Sequence, residues 1–159
     1  MGVDLLSLGL LLALGGLLLA AGIEDARRRT IGNGTNAAVA LLAPGWWWAQ
    51  GYALWPDMAL QIVLAAVVLA LFAGAFAAGM MGGGDVKLIA ALALWLPLVP
   101  LLNLLIVMSL AGGVVTLLMI AERGWRSKKG SGEGVLEIPY GVAIAFAGLL
   151  ALREPILNQ

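Results

Sequence analysis

Long apolar runs separated by short polar breaks limit this chain's fold more than any other feature. The runs cover residues 3–24, 35–54, 58–80, 86–99, 100–121 and 138–152. A helix needs about 20 mostly apolar residues to cross a bilayer, and it satisfies its own backbone hydrogen bonds while doing so. The composition agrees: 62% of the 159 residues are hydrophobic and 11% are charged, against about 25% charged in an ordinary soluble domain. The expected fold class is therefore an all-α integral membrane protein, six transmembrane helices in a single domain over residues 1–159, with the lipid bilayer as its solvent. So short a chain leaves any activity to the helices and the loops between them.

The first, third and fifth runs are long and almost free of charge. Val86 to Ile120 is continuous except for Pro97 and Pro100, and two prolines so close together favour a turn between two helices over one overlong helix. Pro44 and Gly45 weaken the second run, and the sixth is short enough to be partly re-entrant. The first run is followed, not preceded, by basic residues, the reverse of a secretory signal, so it is expected to be a true span.

Short cytoplasmic loops collect Lys and Arg. With six spans, Arg27, Arg28, Arg29, Lys87, Arg123, Arg126, Lys128 and Lys129 fall on one side and Arg153 alone on the other. This predicts an inner-membrane protein with both termini outside and the loops after the first, third and fifth spans in the cytoplasm. Trp46, Trp47, Trp48 and Trp55 then lie near the outer boundary, where an aromatic belt is expected. Ser127 to Gly134 reads as a flexible tether.

The chain contains no His and no Cys, which removes imidazole bases, thiolate nucleophiles, disulfides and ordinary zinc sites. No metal or cofactor is expected, and a formal net charge of zero suggests no nucleic-acid partner. Two carboxylates remain to be explained. Asp25 closes the first span, and Asp85 follows Gly82, Gly83 and Gly84 at the start of the fourth. Singly, Asp25 reads as an interfacial charge beside arginines and Asp85 as a helix N-cap. Together they lie at the same membrane boundary, where two carboxylates can share a proton. Three consecutive glycines expose backbone there, and an extended substrate strand beside Asp85 would use that room.

These residues resemble a known family. Asp25 with Ile31 and Asn33 is similar to the first aspartate motif of the type IV prepilin peptidases, and Gly82-Gly83-Gly84-Asp85 is similar to their G-x-G-D motif. Pro139, Tyr140 and Gly141, opening the last span, agree with the same pattern. Gly32 stands where the family usually has proline, which predicts a looser turn. The likeness is to the short form that processes Flp-type pilins and has no methyltransferase domain. It implies a G-x-G-D aspartyl protease bundle with Asp25 and Asp85 catalytic and Ile31, Asn33, Gly82, Gly83, Gly84, Pro139 and Gly141 supporting the site or binding substrate. The implied partner is a prepilin or pilin-like protein, whose short basic leader is removed at the cytoplasmic face; the oligomeric state is left open.

Two enzyme or carrier readings compete. In a proton- or ion-coupled transporter subunit, Asp25 and Asp85 would relay charge, but such groups usually lie near mid-membrane. A Ser–Lys hydrolase would use Lys87, yet no serine has an evident reason to meet it. A non-enzymatic assembly protein would be expected to have lost one aspartate.

Overall fold

The computed structural model describes residues 5–127 and 140–152, with side chains described to residue 120 and from 140 onward. The described residues form six α-helices: α1 (Leu5–Arg28), α2 (Asn33–Ala49), α3 (Ala59–Ala77), α4 (Gly83–Ala93), α5 (Leu98–Ser127) and α6 (Tyr140–Ala151). A π-helical turn at Leu54–Met58 leads into α3. Pro139, the tether from 128 onward and Arg153 lie outside the described residues.

Three segments are long and apolar enough to cross a membrane: Leu5–Arg28, Leu54–Ala77 and Leu98–Ile120. They correspond to the first, third and fifth runs, and they make the chain a membrane protein. The other helices are shorter. α4 has 11 residues and α6 has 12, so at 1.5 Å per residue each is only about 17 or 18 Å long, well short of a hydrocarbon core of about 30 Å. Six full spans are therefore more than the described helices supply.

The short helices lie inside. α4 packs against α2, α3 and α6, while α6 packs against α1 and α5. Seven of the eleven α4 residues are buried, including Leu88, Ile89 and Ala93 with no exposed surface. The long helices instead bury one stripe. On α1 it is Ser7, Leu11, Leu14, Leu18, Ala21 and Asp25, steps of three and four residues that fall on one helix face. Asp25 continues that stripe and so turns inward. The opposite faces, with Leu12 and Leu19 on α1 and Val63, Val67 and Leu71 on α3, are exposed, as suits a surface solvated by lipid. Close approach of α1 and α6 uses small residues: a Cβ on Gly22 would stand 3.2 Å from Ala145, and one on Gly148 would stand 2.9 Å from Leu18.

A helix as short as α4 must end inside the protein, where its last carbonyls have no water. Side chains from α2 and α3 satisfy them. Trp47 Nε1 donates to the Leu94 carbonyl at 2.7 Å, and Gln61 Nε2 donates to those of Ala93 and Leu96 at 2.9 and 2.6 Å. Trp95 Nε1 donates in turn to Val39 at 2.9 Å, and its ring stacks on Trp46. The aromatic belt therefore needs correction. Trp48 and Trp55 are about four-fifths exposed, but Trp46 and Trp47 are buried, Trp47 as a donor to the end of α4 and Trp46 as the ring stacked on Trp95. Gln61→Leu leaves two buried carbonyls without their donor and should lower stability by about 1–3 kcal/mol. Thermal unfolding in detergent checks this, with Leu60→Ala, on the exposed face, as the comparison.

The break between the fourth and fifth runs also falls earlier than expected. α4 stops at Ala93, and Leu101 N–H bonds to the Pro97 carbonyl at 3.0 Å, so Pro97 precedes α5 and Pro100 sits in its first turn. First-turn amides have no intrahelical acceptor, so a proline there interrupts nothing.

Candidate active site

The chain reverses after α1 through Arg29, whose φ of 56° is left-handed and whose N–H closes onto the Asp25 carbonyl at 2.8 Å. Residues 30–32 then run to α2. The end of α1, the start of α2, the start of α4 and the start of α6 converge at this end of the bundle, opposite Trp46, Trp47 and Trp95.

Asp25 is 3% exposed. Its Oδ2 accepts the Val142 N–H at 3.2 Å, and the Gly141 amide also bonds to it, so the positive end of the α6 dipole faces the carboxylate. Gly141 is required by this approach. A Cβ there would lie 2.7 Å from Asp25 Cγ and 2.8 Å from both Asp25 Cβ and Ile31 Cδ1, closer than non-bonded carbons approach.

Asp85 is 7% exposed and occupies the third position of α4, where Gly82 is the N-cap. The N-cap role expected for Asp85 thus belongs to Gly82. Asp85 instead turns back to the Gly82 backbone amide, as the acidic member of a capping box does. The Asp25 carboxylate lies near enough for its charge to bear on Asp85. Two acids from the ends of different helices are thereby buried together as electrostatic neighbours.

The glycines divide differently from the expectation of an open strand site. A Cβ on Gly84 would stand 3.0 Å from the Ile31 carbonyl oxygen and 3.1 Å from Ile31 N, so the backbone that approaches Gly84 is the chain's own α1–α2 loop. A Cβ on Gly83 would meet the Phe76 ring at 3.3 Å, and one on Gly82 would meet Asp85 Oδ2 at 3.0 Å. Ile31, 6% exposed, is the wedge between Gly84, the neighbour of Asp85 in the chain, and Gly141, which lies against Asp25. Asn33 Oδ1 accepts from Lys87 Nζ at 2.8 Å, giving Lys87 a partner as well as its charge at this face.

Two supports were not singled out in the sequence. Asn36, buried at 5% exposure, donates from Nδ2 to the Gly84 carbonyl at 3.1 Å, while its Oδ1 has no partner. Glu24 accepts the Gly32 N–H at 3.0 Å and the Thr35 hydroxyl at 3.3 Å. A polar residue inside an apolar run was the available signal for Asn36, whereas Glu24 looked like one more boundary charge. Gly32 has φ −64° and ψ 143°, an extended conformation that proline also adopts, and its N–H is tied down, so the turn is not loose.

Among the described residues no three His, Cys, Asp or Glu side chains gather as a metal site would require. A cavity of about 670 Å³ lies at the other end, lined in part by Tyr52, Asp57, Gln61 and Pro97, and reaches neither buried aspartate.

The sequence profile described as the type IV leader peptidase family matches residues 12–117, from α1 into α5, and so includes both aspartates. No curated protein and no solved structure matches the chain.

Proposed function

We propose that this chain, which belongs to the type IV leader peptidase family, is an intramembrane aspartyl endopeptidase that cuts the short basic leader from Flp-like prepilins at the cytoplasmic membrane face. The observation that carries the reading is the pair itself: Asp25 and Asp85, far apart in sequence, are both buried at one end of the bundle, where the charge of Asp25 bears on Asp85. Burying two acids side by side has little structural use, since each is costly to bury and disfavours ionisation of the other.

The chemistry follows from what peptide hydrolysis requires. One carboxylate takes a proton from a water molecule as its oxygen adds to the carbonyl carbon. The other carboxyl group, carrying a proton, donates it to the carbonyl oxygen, giving a tetrahedral diol. Collapse of the diol breaks the C–N bond: the second carboxylate takes back a proton from a diol hydroxyl as the carbonyl re-forms, and the proton held by the first carboxyl passes to the leaving amine. The pair titrates as a unit, so base and acid are roles of the pair and not fixed labels.

Arg27, Arg28, Arg29 and Lys87 lie at the same end as the acids in the sequence-derived topology, which supports the cytoplasmic side. A prepilin anchored by its hydrophobic helix would bring its leader junction to that level. Nothing in the family match supports the transporter reading.

A peptide spanning a prepilin leader junction, added to inverted membrane vesicles bearing the protein, should be cleaved, whereas right-side-out vesicles should leave it intact until permeabilised. Mass spectrometry of the products reads the scissile bond. Absence of cleavage in both vesicle types and in detergent with full-length prepilin would refute the proposal, and cleavage only from the outer face would reverse the orientation.

A further inference from the structure

We infer that Glu24 is a positioning residue for the aspartate pair, acting as a brace that holds the α1–α2 loop at the distance the site needs. This rests on the peptidase reading above.

The α1–α2 loop ends at the start of α2. Gly32 is its N-cap and has no side chain with which to cap the helix, leaving first-turn donors to be satisfied from elsewhere. The Glu24 carboxylate reaches across from the last turns of α1. It accepts the Gly32 N–H at 3.0 Å, and the Thr35 hydroxyl donates to both its oxygens at 3.3 and 3.4 Å. Its charge also sits at the positive end of α2.

What the brace holds is Ile31, the residue before Gly32. Ile31 presses its side chain toward Gly141 and Asp25 on one side and its backbone toward Gly84 on the other. Gly84 is adjacent to Asp85 and is itself held by Asn36 from the first turn of α2. A shift of the loop therefore changes the placement of one aspartate relative to the other. Glu24 adjoins Asp25 in the chain, but its carboxylate bonds to Gly32 and Thr35, whereas that of Asp25 bonds to the start of α6.

The Gly32 conformation gives a test that separates positioning from catalysis. With φ −64° and ψ 143°, proline fits the backbone at 32, but its ring carbon would replace the N–H that points at Glu24 Oε2. Gly32→Pro should thus clash with Glu24 and yet stiffen the loop once Glu24 is truncated. In a purified system with a prepilin substrate, Glu24→Ala should lower kcat about tenfold or more with KM changed little, since misplacement of catalytic groups by even 1 Å is costly. Glu24→Gln, which keeps an acceptor for Gly32 N–H and a polar partner for Thr35, should stay within about threefold of the wild type by the same argument. Gly32→Pro alone should lose activity, and Glu24→Ala with Gly32→Pro should exceed either single variant.

Hydrogen exchange over residues 29–36 provides a readout independent of turnover: it should rise in Glu24→Ala and fall back in the double variant. A double variant no better than Glu24→Ala in both kcat and exchange overturns the inference, as does full activity of Glu24→Ala. A Glu24→Gln variant as inactive as an aspartate variant would make Glu24 a catalytic acid instead of a brace. If the wild type cleaves no prepilin, the peptidase reading fails, and the exchange data alone decide whether the brace exists.

Discussion

Asp25→Asn and Asp85→Asn should each reduce prepilin cleavage below detection at matched protein levels, and the double variant should be no worse than either single one. Each substitution is nearly isosteric and keeps an oxygen able to accept the bonds now made by Val142 N–H at Asp25 and the Gly82 amide at Asp85, so insertion and folding should survive. What is lost is half of the proton traffic. One positioned acid or base is worth about 10²–10⁴ in rate, and the remaining carboxyl cannot perform both transfers in one cycle. Groups that act as a unit are not additive when removed, which is the reason to expect equality of singles and double. Asp57→Ala is the control, because Asp57 accepts the Ala53 N–H at the entrance to α3, at the other end of the bundle. The leader-dependent mobility shift of a co-expressed prepilin measures the outcome, and full cleavage by either asparagine variant would remove the pair from the mechanism.

Gly141→Ala should have an effect of similar size on cleavage for a steric reason. Its methyl carbon would fall 2.7 and 2.8 Å from Asp25 Cγ and Cβ and 2.8 Å from Ile31 Cδ1. Either α6 moves outward, breaking the Val142 bond, or the Asp25 carboxylate leaves its place. We expect cleavage to fall about 100-fold or more, the scale of an ångström-sized displacement of a reacting group, and stability to fall by about 1–3 kcal/mol, as overpacking in a full interior costs. Gly83→Ala should do less, because Phe76 has a ring edge that can yield by a few tenths of an ångström, and Gly34→Ala, with open space around its Cβ, should do nothing to turnover. Near-normal cleavage by Gly141→Ala would mean that α6 does not hold Asp25 during the reaction. Unfolding temperature and turnover measured on the same preparations separate loss of fold from loss of geometry.

The aspartates were legible in the sequence because a charged group at the edge of an apolar run has few explanations, and because their surroundings repeat a known pattern. The supports around them were not. Ile31 is one apolar residue among many until the structure puts it against Gly84 and Gly141, and Glu24 differs from an interfacial charge only by the loop folded beneath it. The three glycines were noticed for a good reason, their exposed backbone, but the approaching chain at Gly84 proved to be the protein's own loop.

The belt assignment failed at Trp46 and Trp47 for a related reason. Sequence position relative to a membrane boundary groups Trp46, Trp47, Trp48 and Trp55 together, yet consecutive residues on a helix point about 100° apart, so two neighbours can face lipid and core respectively. Only the packing of α2 on the end of α4 decides which.

By itself the sequence determined what depends on the solvent: long apolar runs must be helices in a bilayer, charge must stay at their ends, and a chain without His or Cys has carboxylates as its strongest catalytic groups. It could not determine which face of an almost wholly apolar helix turns inward, because lipid and protein interior attract the same side chains and leave no hydrophobic contrast to read. Nor could it determine that α4 and α6 are central, since that depends on the hydrogen bonds that Gln61, Trp47 and Trp95 complete around the end of α4 and on how closely α1 approaches Gly148 and Gly141. Those contacts join residues distant in the chain, and the tertiary structure alone brings Asp25 and Asp85 within reach of each other's charge.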